Sequence, residues 1–173
     1  MKSKYLTNSP SQTKKLGEIL AKEILSRPQL RDRIKKPSLK GKAFVIGLRG
    51  DLGGGKTTFL KGFAKGLGIK EKILSPTFII IRRLKINNLT MKQFTNFYHI
   101  DCYRVQNSKE ILDLGFKEII SNPKNIVAIE WAEHIRKILP RDVLILKFEF
   151  IKQNTRKIIL ELKVKNEKFK ITV

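Results

Sequence analysis

Ala43-Phe44-Val45-Ile46-Gly47-Leu48-Arg49-Gly50-Asp51-Leu52-Gly53-Gly54-Gly55-Lys56-Thr57-Thr58-Phe59-Leu60 is the stretch on which the fold turns. Its first six residues form an apolar run without alternation, as in a strand covered on both faces. Gly50 to Thr57 then match G-x-x-x-x-G-K-[ST] in full. Beyond the loop, Phe59, Leu60, Phe63 and Leu67 fall on one helical face, and Gly68 is the expected stop. Strand, glycine loop and helix in this order predict an α/β domain with a phosphate-binding loop. Glycines let backbone amides approach an oxyanion, and the positive end of the helix adds to their field. Asp51, Leu52, Gly53, Gly54, Gly55, Lys56, Thr57 and Thr58 are thus the expected nucleotide-binding residues. Lys56 is expected to reach the β- and γ-phosphates, and the Thr57 hydroxyl to hold Mg²⁺. The loop alone does not separate ATP from GTP. No N-K-x-D guanine-reading motif follows it, so ATP is expected.

Upstream, Ser9-Pro10-Ser11-Gln12 fits a capping box with proline at the first helical position. Leu16, Ile19, Leu20, Ile24 and Leu25 continue it at helical spacing. Residues 28–42 carry Pro37, Gly41 and many charges and read as a basic connection. Downstream, strands are expected at Phe78–Arg83, Phe97–Ile100 and Ile126–Ile129. A short helix capped by Asn107 and Glu110 is expected to run to Leu114, and another at His134–Ile138, ended by Pro140. The tail changes period. Leu144, Leu146, Phe148 and Phe150 alternate with Ile145, Lys147 and Glu149, and Ile158, Leu160, Leu162 and Val164 do the same around Ile159, Glu161 and Lys163. This predicts an antiparallel pair, with Phe169–Val173 as a further strand of the meander.

A phosphate loop needs an acid at the end of an apolar strand to hold its metal. Glu130 ends Ile126–Ile129 and Asp101 ends Phe97–Ile100, and open α/β sheets place ligands at such strand ends. Glu130 is the better metal residue because its strand is more uniformly apolar. Asp101 would then orient or polarise the attacking water, or help hold the metal. Ser75-Pro76-Thr77-Phe78 lies where a first switch would sense the γ-phosphate, with Thr77 as its sensor. Trp131 lies where a second switch would be, or is a core anchor. Arg104 could pair with Asp101 or with phosphate. His99 and His134 lack metal-ligand spacing and are read as structural or exposed.

The 173 residues fit one domain, since domains run to ~100–200 residues. The lone Cys102 excludes an internal disulfide, and two histidines with one cysteine argue against a structural zinc site. Lys2 and Lys4 are followed by no apolar signal region, and no apolar run approaches the ~20 residues that span a bilayer. The chain is therefore expected to be cytoplasmic. Lysine and arginine total 37 against 15 acidic residues, a net charge of +22. Such a field attracts polyanions, but lysine is spread along the whole chain with isoleucine and asparagine, as a coding bias would leave it.

GDLGGGKTT, SPTF, YHIDCYR, LGF and IEWAEHI followed by LP, in this order and spacing, resemble the TsaE (YjeE) family, ATPases of bacterial tRNA N6-threonylcarbamoyladenosine (t⁶A) biosynthesis. The resemblance runs from about Thr13 to the C-terminal strands. It implies Mg²⁺ and ATP as cofactors, slow hydrolysis, and association with the proteins TsaD and TsaB. It implies no threonylcarbamoyl transfer by this chain, and contact with tRNA only indirectly or through the complex. By motif position Lys56, Glu130 and Asp101 would serve catalysis, Thr57 and Glu130 would bind Mg²⁺, and Thr77 and Trp131 would lie in switch regions. Thr13 would sit near the nucleotide base. Gly54 stands where the family usually has alanine, and Cys102 where it has a larger apolar residue. Residues 28–42 and 85–95 look longer and more basic than usual.

Two other readings fit the loop. A small-molecule or nucleoside kinase would use Asp101 as base and Arg104 to grip its acceptor. The β-rich tail in place of an arginine-rich lid disfavours that reading. A non-enzymatic nucleic-acid binder would keep the loop for a structural nucleotide and lose RNA affinity with salt.

Overall fold

The apolar run at the head of the phosphate-loop motif forms strand β2 (Phe44–Gly50) in the centre of a seven-stranded sheet. The structure, a computed structural model, describes residues 2–26, 41–73, 79–87 and 93–162, and of Leu162 the backbone. The other strands are β1 (Lys2–Thr7), β3 (Ile81–Lys85), β4 (Asn96–Asp101), β5 (Asn125–Glu130), β6 (Leu144–Lys152) and β7 (Thr155–Leu162). Their order is β1-β7-β6-β2-β5-β4-β3. Strand β2 runs parallel to β5 and β6, and β4 runs parallel to β5. Both edges are antiparallel, β3 on β4 and the β6–β7–β1 set. This is an α/β fold of the P-loop type with a mixed sheet. The parallel strands are buried on both faces, which is why their sequences show no alternation.

Helices cover both faces. On one, α1 (Pro10–Ser26) and α2 (Lys56–Gly66) lie side by side over Phe44, Ile46, Leu48, Phe97, Ile126, Leu146 and Phe148. On the other, the short helices α3 (Ser108–Asp113) and α4 (Phe116–Ser121) bury Ile111 and Phe116 against Val45, Ile100, Val127 and Ile129. Phe59 and Phe63 of α2 are fully buried. Each such side chain contributes about 1.5–3 kcal/mol by leaving water. The α1–α2 contact is close because glycines line it: a Cβ on Gly62 would lie 1.8 Å from the Lys14 carbonyl oxygen, and one on Gly17 2.3 Å from that of Phe59. Glu18 ties α1 to α2 through Lys65 and pairs with Lys15 and Lys22 along its own helix, and the Lys22 hydrogen bond holds its carboxyl below the ordinary range.

Most expected elements form. Ser9 Oγ accepts from Gln12 N at 3.1 Å, but the Gln12 side chain reaches back to Asn8 N rather than to Ser9. Asn107 and Glu110 make the full capping box of α3. Three differences stand out. Residues 131–138 form successive tight turns instead of a helix, with His134 N bonded to Trp131 O, Arg136 N to Glu133 O and Ile138 N to Ile135 O. The polar strand β1 pairs with β7, Lys2 opposite Glu161, and so extends the meander from the beginning of the chain. Helix α4 continues α3 after Gly115. The proposed strand at Phe169–Val173, Thr77, and most of segment 28–42 lie outside the described residues.

Candidate functional site

The loop between β2 and α2 stands over the C-terminal ends of β2, β5 and β4, where parallel strands leave the core. Gly50 opens it at φ 117°, and a Cβ there would lie 2.0 Å from the Phe148 carbonyl oxygen on β6, so no other residue fits. Gly55 closes it at φ 97° as the N-cap of α2. No side chain caps this helix, so its leading amides are left to the cavity beside them. That cavity, of about 640 Å³, is lined by Leu52 to Thr58, Thr13, Asp101, Arg104, Glu130, Trp131 and the β6–β7 hairpin residues Gln153, Asn154 and Arg156, among others. Asp51 contributes differently from expectation. It lies outside the lining, and its carbonyl accepts from Lys56 Nζ at 2.8 Å and from Gly54 N at 3.0 Å. An alanine Cβ at Gly54 would lie 2.9 Å from that oxygen, so the turn would have to shift by a few tenths of an ångström to hold the family's usual residue.

Lys56 Nζ donates to the carbonyls of Gly50 at 2.6 Å and Asp51, and sits 3.8 Å from the Trp131 ring centroid. Burial pushes its ammonium below the ordinary lysine range, against the upward pull of Glu130, Glu133, Asp101 and Asp51. The Thr57 hydroxyl donates to both Glu130 oxygens, at 3.0 Å to Oε1 and 2.8 Å to Oε2. Glu130 is 2% exposed. Asp101 pairs with it in register on β4 and accepts from Tyr103 N at 3.0 Å through Oδ1. A hydroxyl and a carboxylate that already meet form a hard-oxygen pair of the kind Mg²⁺ prefers. The glycine loop with its uncapped amides fits a polyphosphate.

Thr13 lies on the far side of the loop. Its hydroxyl meets that of Thr7 at 2.8 Å, and its methyl carbon would be 3.7 Å from a Cβ on Gly55. Trp131 follows Glu130 with φ 57°, a left-handed conformation that costs roughly 1–3 kcal/mol in a bulky residue. Its ring packs 5.0 Å from Tyr103 and 5.8 Å from His134, and the next amide, of Ala132, returns to Leu48 O. Of the expected site residues, all but Thr77, outside the described residues, come together here.

Sequence reasoning missed three neighbours. His99, fully buried on β4, places Nε2 2.9 Å from Glu130 Oε1. The period of two that puts Asp101 on this face also puts His99 there, so alternation held that signal. Glu133 Oε1 accepts from Gly50 N at 3.4 Å. Arg156 donates Nε to Gly53 O at 3.0 Å, its guanidinium also bonds the carbonyls of Lys152, Gln153 and Thr155, and it clasps the hairpin to the loop. No local pattern marked either one. Cys102 is buried, and burial pushes its thiol up to about 12, as a packing residue should be. Among the described residues no group of three or more His, Cys, Asp or Glu could hold a metal by itself, and no helix is long and apolar enough to cross a membrane.

Fold and loop together define a protein of the P-loop α/β class. Residues 7–158 match the family described as "Threonylcarbamoyl adenosine biosynthesis protein TsaE". A Rickettsia felis protein named "tRNA threonylcarbamoyladenosine biosynthesis protein TsaE" is 34% identical over 152 residues, 87% of this chain and 75% of the relative. The protein of that name from Bacillus subtilis is 36% identical over 139 residues, 80% of this chain and 72% of the relative. The crystal structure of YdiB from Bacillus subtilis superposes with a TM-score of 0.61 at 27% identity, covering 92% of this chain and 84% of that one. The chain belongs to the TsaE family, whose role is in t⁶A biosynthesis on tRNA.

Proposed function

We propose that this protein binds and hydrolyses Mg²⁺-ATP in t⁶A modification of tRNA, working in the cytoplasm with TsaD and TsaB and not transferring the threonylcarbamoyl group itself. The observation that carries the reading is the Thr57 hydroxyl at 2.8 Å from the buried Glu130 carboxylate beneath an uncapped glycine loop, in a chain of the TsaE family. The amides of residues 52–58 and the Lys56 ammonium hold the triphosphate. The loop carbonyls take two of the three Lys56 N–H bonds and fix where the third points. Thr57 and Glu130 would hold Mg²⁺, which when bound would supply charge neutralisation to the phosphoryl group. Asp101, on the adjacent strand end, orients water for attack on the γ-phosphorus and accepts its proton as ADP leaves.

Arg156 has Nε and Nη1 committed to main-chain carbonyls, which suits a clasp rather than a finger. Turnover without an arginine finger is commonly ~10³–10⁵ slower, so the isolated chain is slow. Exposed Leu52, Ile79 and Tyr103 around the cavity give a partner an apolar rim to cover.

Calorimetry with ATP and phosphate release with and without TsaD–TsaB test this. The pair raises the rate, Lys56→Ala weakens nucleotide binding, and Asp101→Ala keeps binding but loses turnover. A flat response to the pair at saturating Mg²⁺-ATP refutes the partnership. Equal loss of binding in both variants makes Asp101 a binding residue.

A further inference from the structure

His99 enters none of the roles above, yet it makes the most enclosed polar contact at the site. It is 0% exposed and its partner Glu130 2%. On β4 it pairs with Ala128 while Asp101 pairs with Glu130, so the imidazole reaches diagonally along the sheet face to Glu130 Oε1 at 2.9 Å. Its Nδ1 is buried with no hydrogen-bond partner among the described residues. For the neutral imidazole, that asymmetry selects the tautomer. With the hydrogen on Nε2, the ring donates to Glu130 and leaves only a bare acceptor unpaired. With it on Nδ1, a buried N–H is orphaned and two acceptors face each other at 2.9 Å, which costs more.

We infer that His99 is a positioning residue: its Nε2–H anchors Glu130 Oε1 to the sheet, so that Oε2 is the oxygen turned with the Thr57 hydroxyl toward Mg²⁺. The inference rests on the proposed Mg²⁺-ATP site. Hydrogen bonds that orient a metal-binding carboxylate from outside are worth roughly 10–100-fold in metal affinity. Among the described residues the Glu130 carboxylate otherwise accepts only from the Thr57 hydroxyl, and that hydroxyl is itself a metal ligand in this reading.

The test uses the full chain with His99→Leu, His99→Asn and His99→Gln. A glutamine amide nitrogen reaches the place of Nε2, and an asparagine amide that of Nδ1. Calorimetry gives ATP affinity in EDTA and the Mg²⁺ concentration that half-restores Mg²⁺-dependent binding, and thermal melts confirm that each variant is folded. His99→Leu and His99→Asn raise the half-saturating Mg²⁺ by roughly 10–100-fold with metal-free ATP affinity unchanged, and His99→Gln recovers most of the loss. Equal shifts in all three, or none in folded His99→Leu, overturn the assignment. A second measurement needs no variant to fold. Long-range ¹H–¹⁵N spectra of the unaltered protein, which has only His99 and His134, show the His99 proton on Nε2, and a proton on Nδ1 overturns the assignment. If the unaltered chain binds no ATP with or without Mg²⁺, the proposed function fails first, and that result is distinct from a missing Mg²⁺ shift in a chain that binds ATP.

Discussion

Gly62→Ala isolates the packing on which the loop helix depends. Gly62 lies in the middle of α2 with ordinary helical φ, so the change brings no backbone strain. In an open helix it would stabilise by about 1 kcal/mol, the glycine-to-alanine propensity difference. Here the new methyl would lie 1.8 Å from the Lys14 carbonyl oxygen and 2.5 Å from its carbon, both main-chain atoms that cannot rotate away. The helices must part by about 1.2 Å or more to reach even a tight contact, and a close-packed interface loses dispersion along its whole length when opened. Overpacking costs about 1–3 kcal/mol, and a backbone obstacle puts this site at the top of that range. Subtracting the propensity gain leaves a net loss of about 2 kcal/mol, or about 4–8 °C in Tm for a chain of this size. Urea unfolding followed by circular dichroism reads it. Gly41→Ala is the control, since its φ is 97° with nothing within 4 Å, and any cost there is strain alone. Parting α1 from α2 also draws Thr13 away from Gly55, so ATP binding weakens in the same variant. A Gly62→Ala protein as stable as the parent, or more so, would show that α1 and α2 do not touch as described.

Two further outcomes follow from titratable groups. Glu149 is held at about 2 by hydrogen bonds from Lys157 and Lys147 across β6 and β7. Its folded value lies below the ordinary 4.5, so the stabilisation is complete above 4.5 and is lost as pH falls from 4.5 toward about 2. The Tm difference between the parent and Glu149→Gln should close over that window at low salt and shrink in high salt, and a pH-independent gap would contradict the pairing. Cys102, buried with its thiol near 12, should resist maleimide in the folded protein and react at once in denaturant, whereas rapid labelling of native protein would show that the turn after β4 opens.

The phosphate loop was legible because its chemistry is local. Glycines, lysine and threonine at fixed offsets need only a strand before and a helix after, and both show their own periodicities. Asp101 and Glu130 were legible for the same reason, as acids ending apolar runs. The links between distant segments were not. Arg156 clasps Gly53 from a hairpin that nothing in the loop sequence anticipates, and Lys2–Thr7, too polar to stand out as a strand, joins the sheet only because β7 leaves an edge open. The expected helix at His134–Ile138 gave way to turns after Trp131 takes φ 57°, a backbone choice that hydrophobic spacing does not record.

The pairing of Lys2 with Glu161 has a consequence for how the chain is made. Among the described residues strand β1 pairs with β7 alone, so it waits for a segment translated after the whole of β2 to β6. Such distant pairing is slow to form. Arg156, which steadies the loop, arrives on that same late strand. A chain translated only as far as β6 therefore holds the loop motif without its brace, and nucleotide can help to complete folding only once β7 has been made.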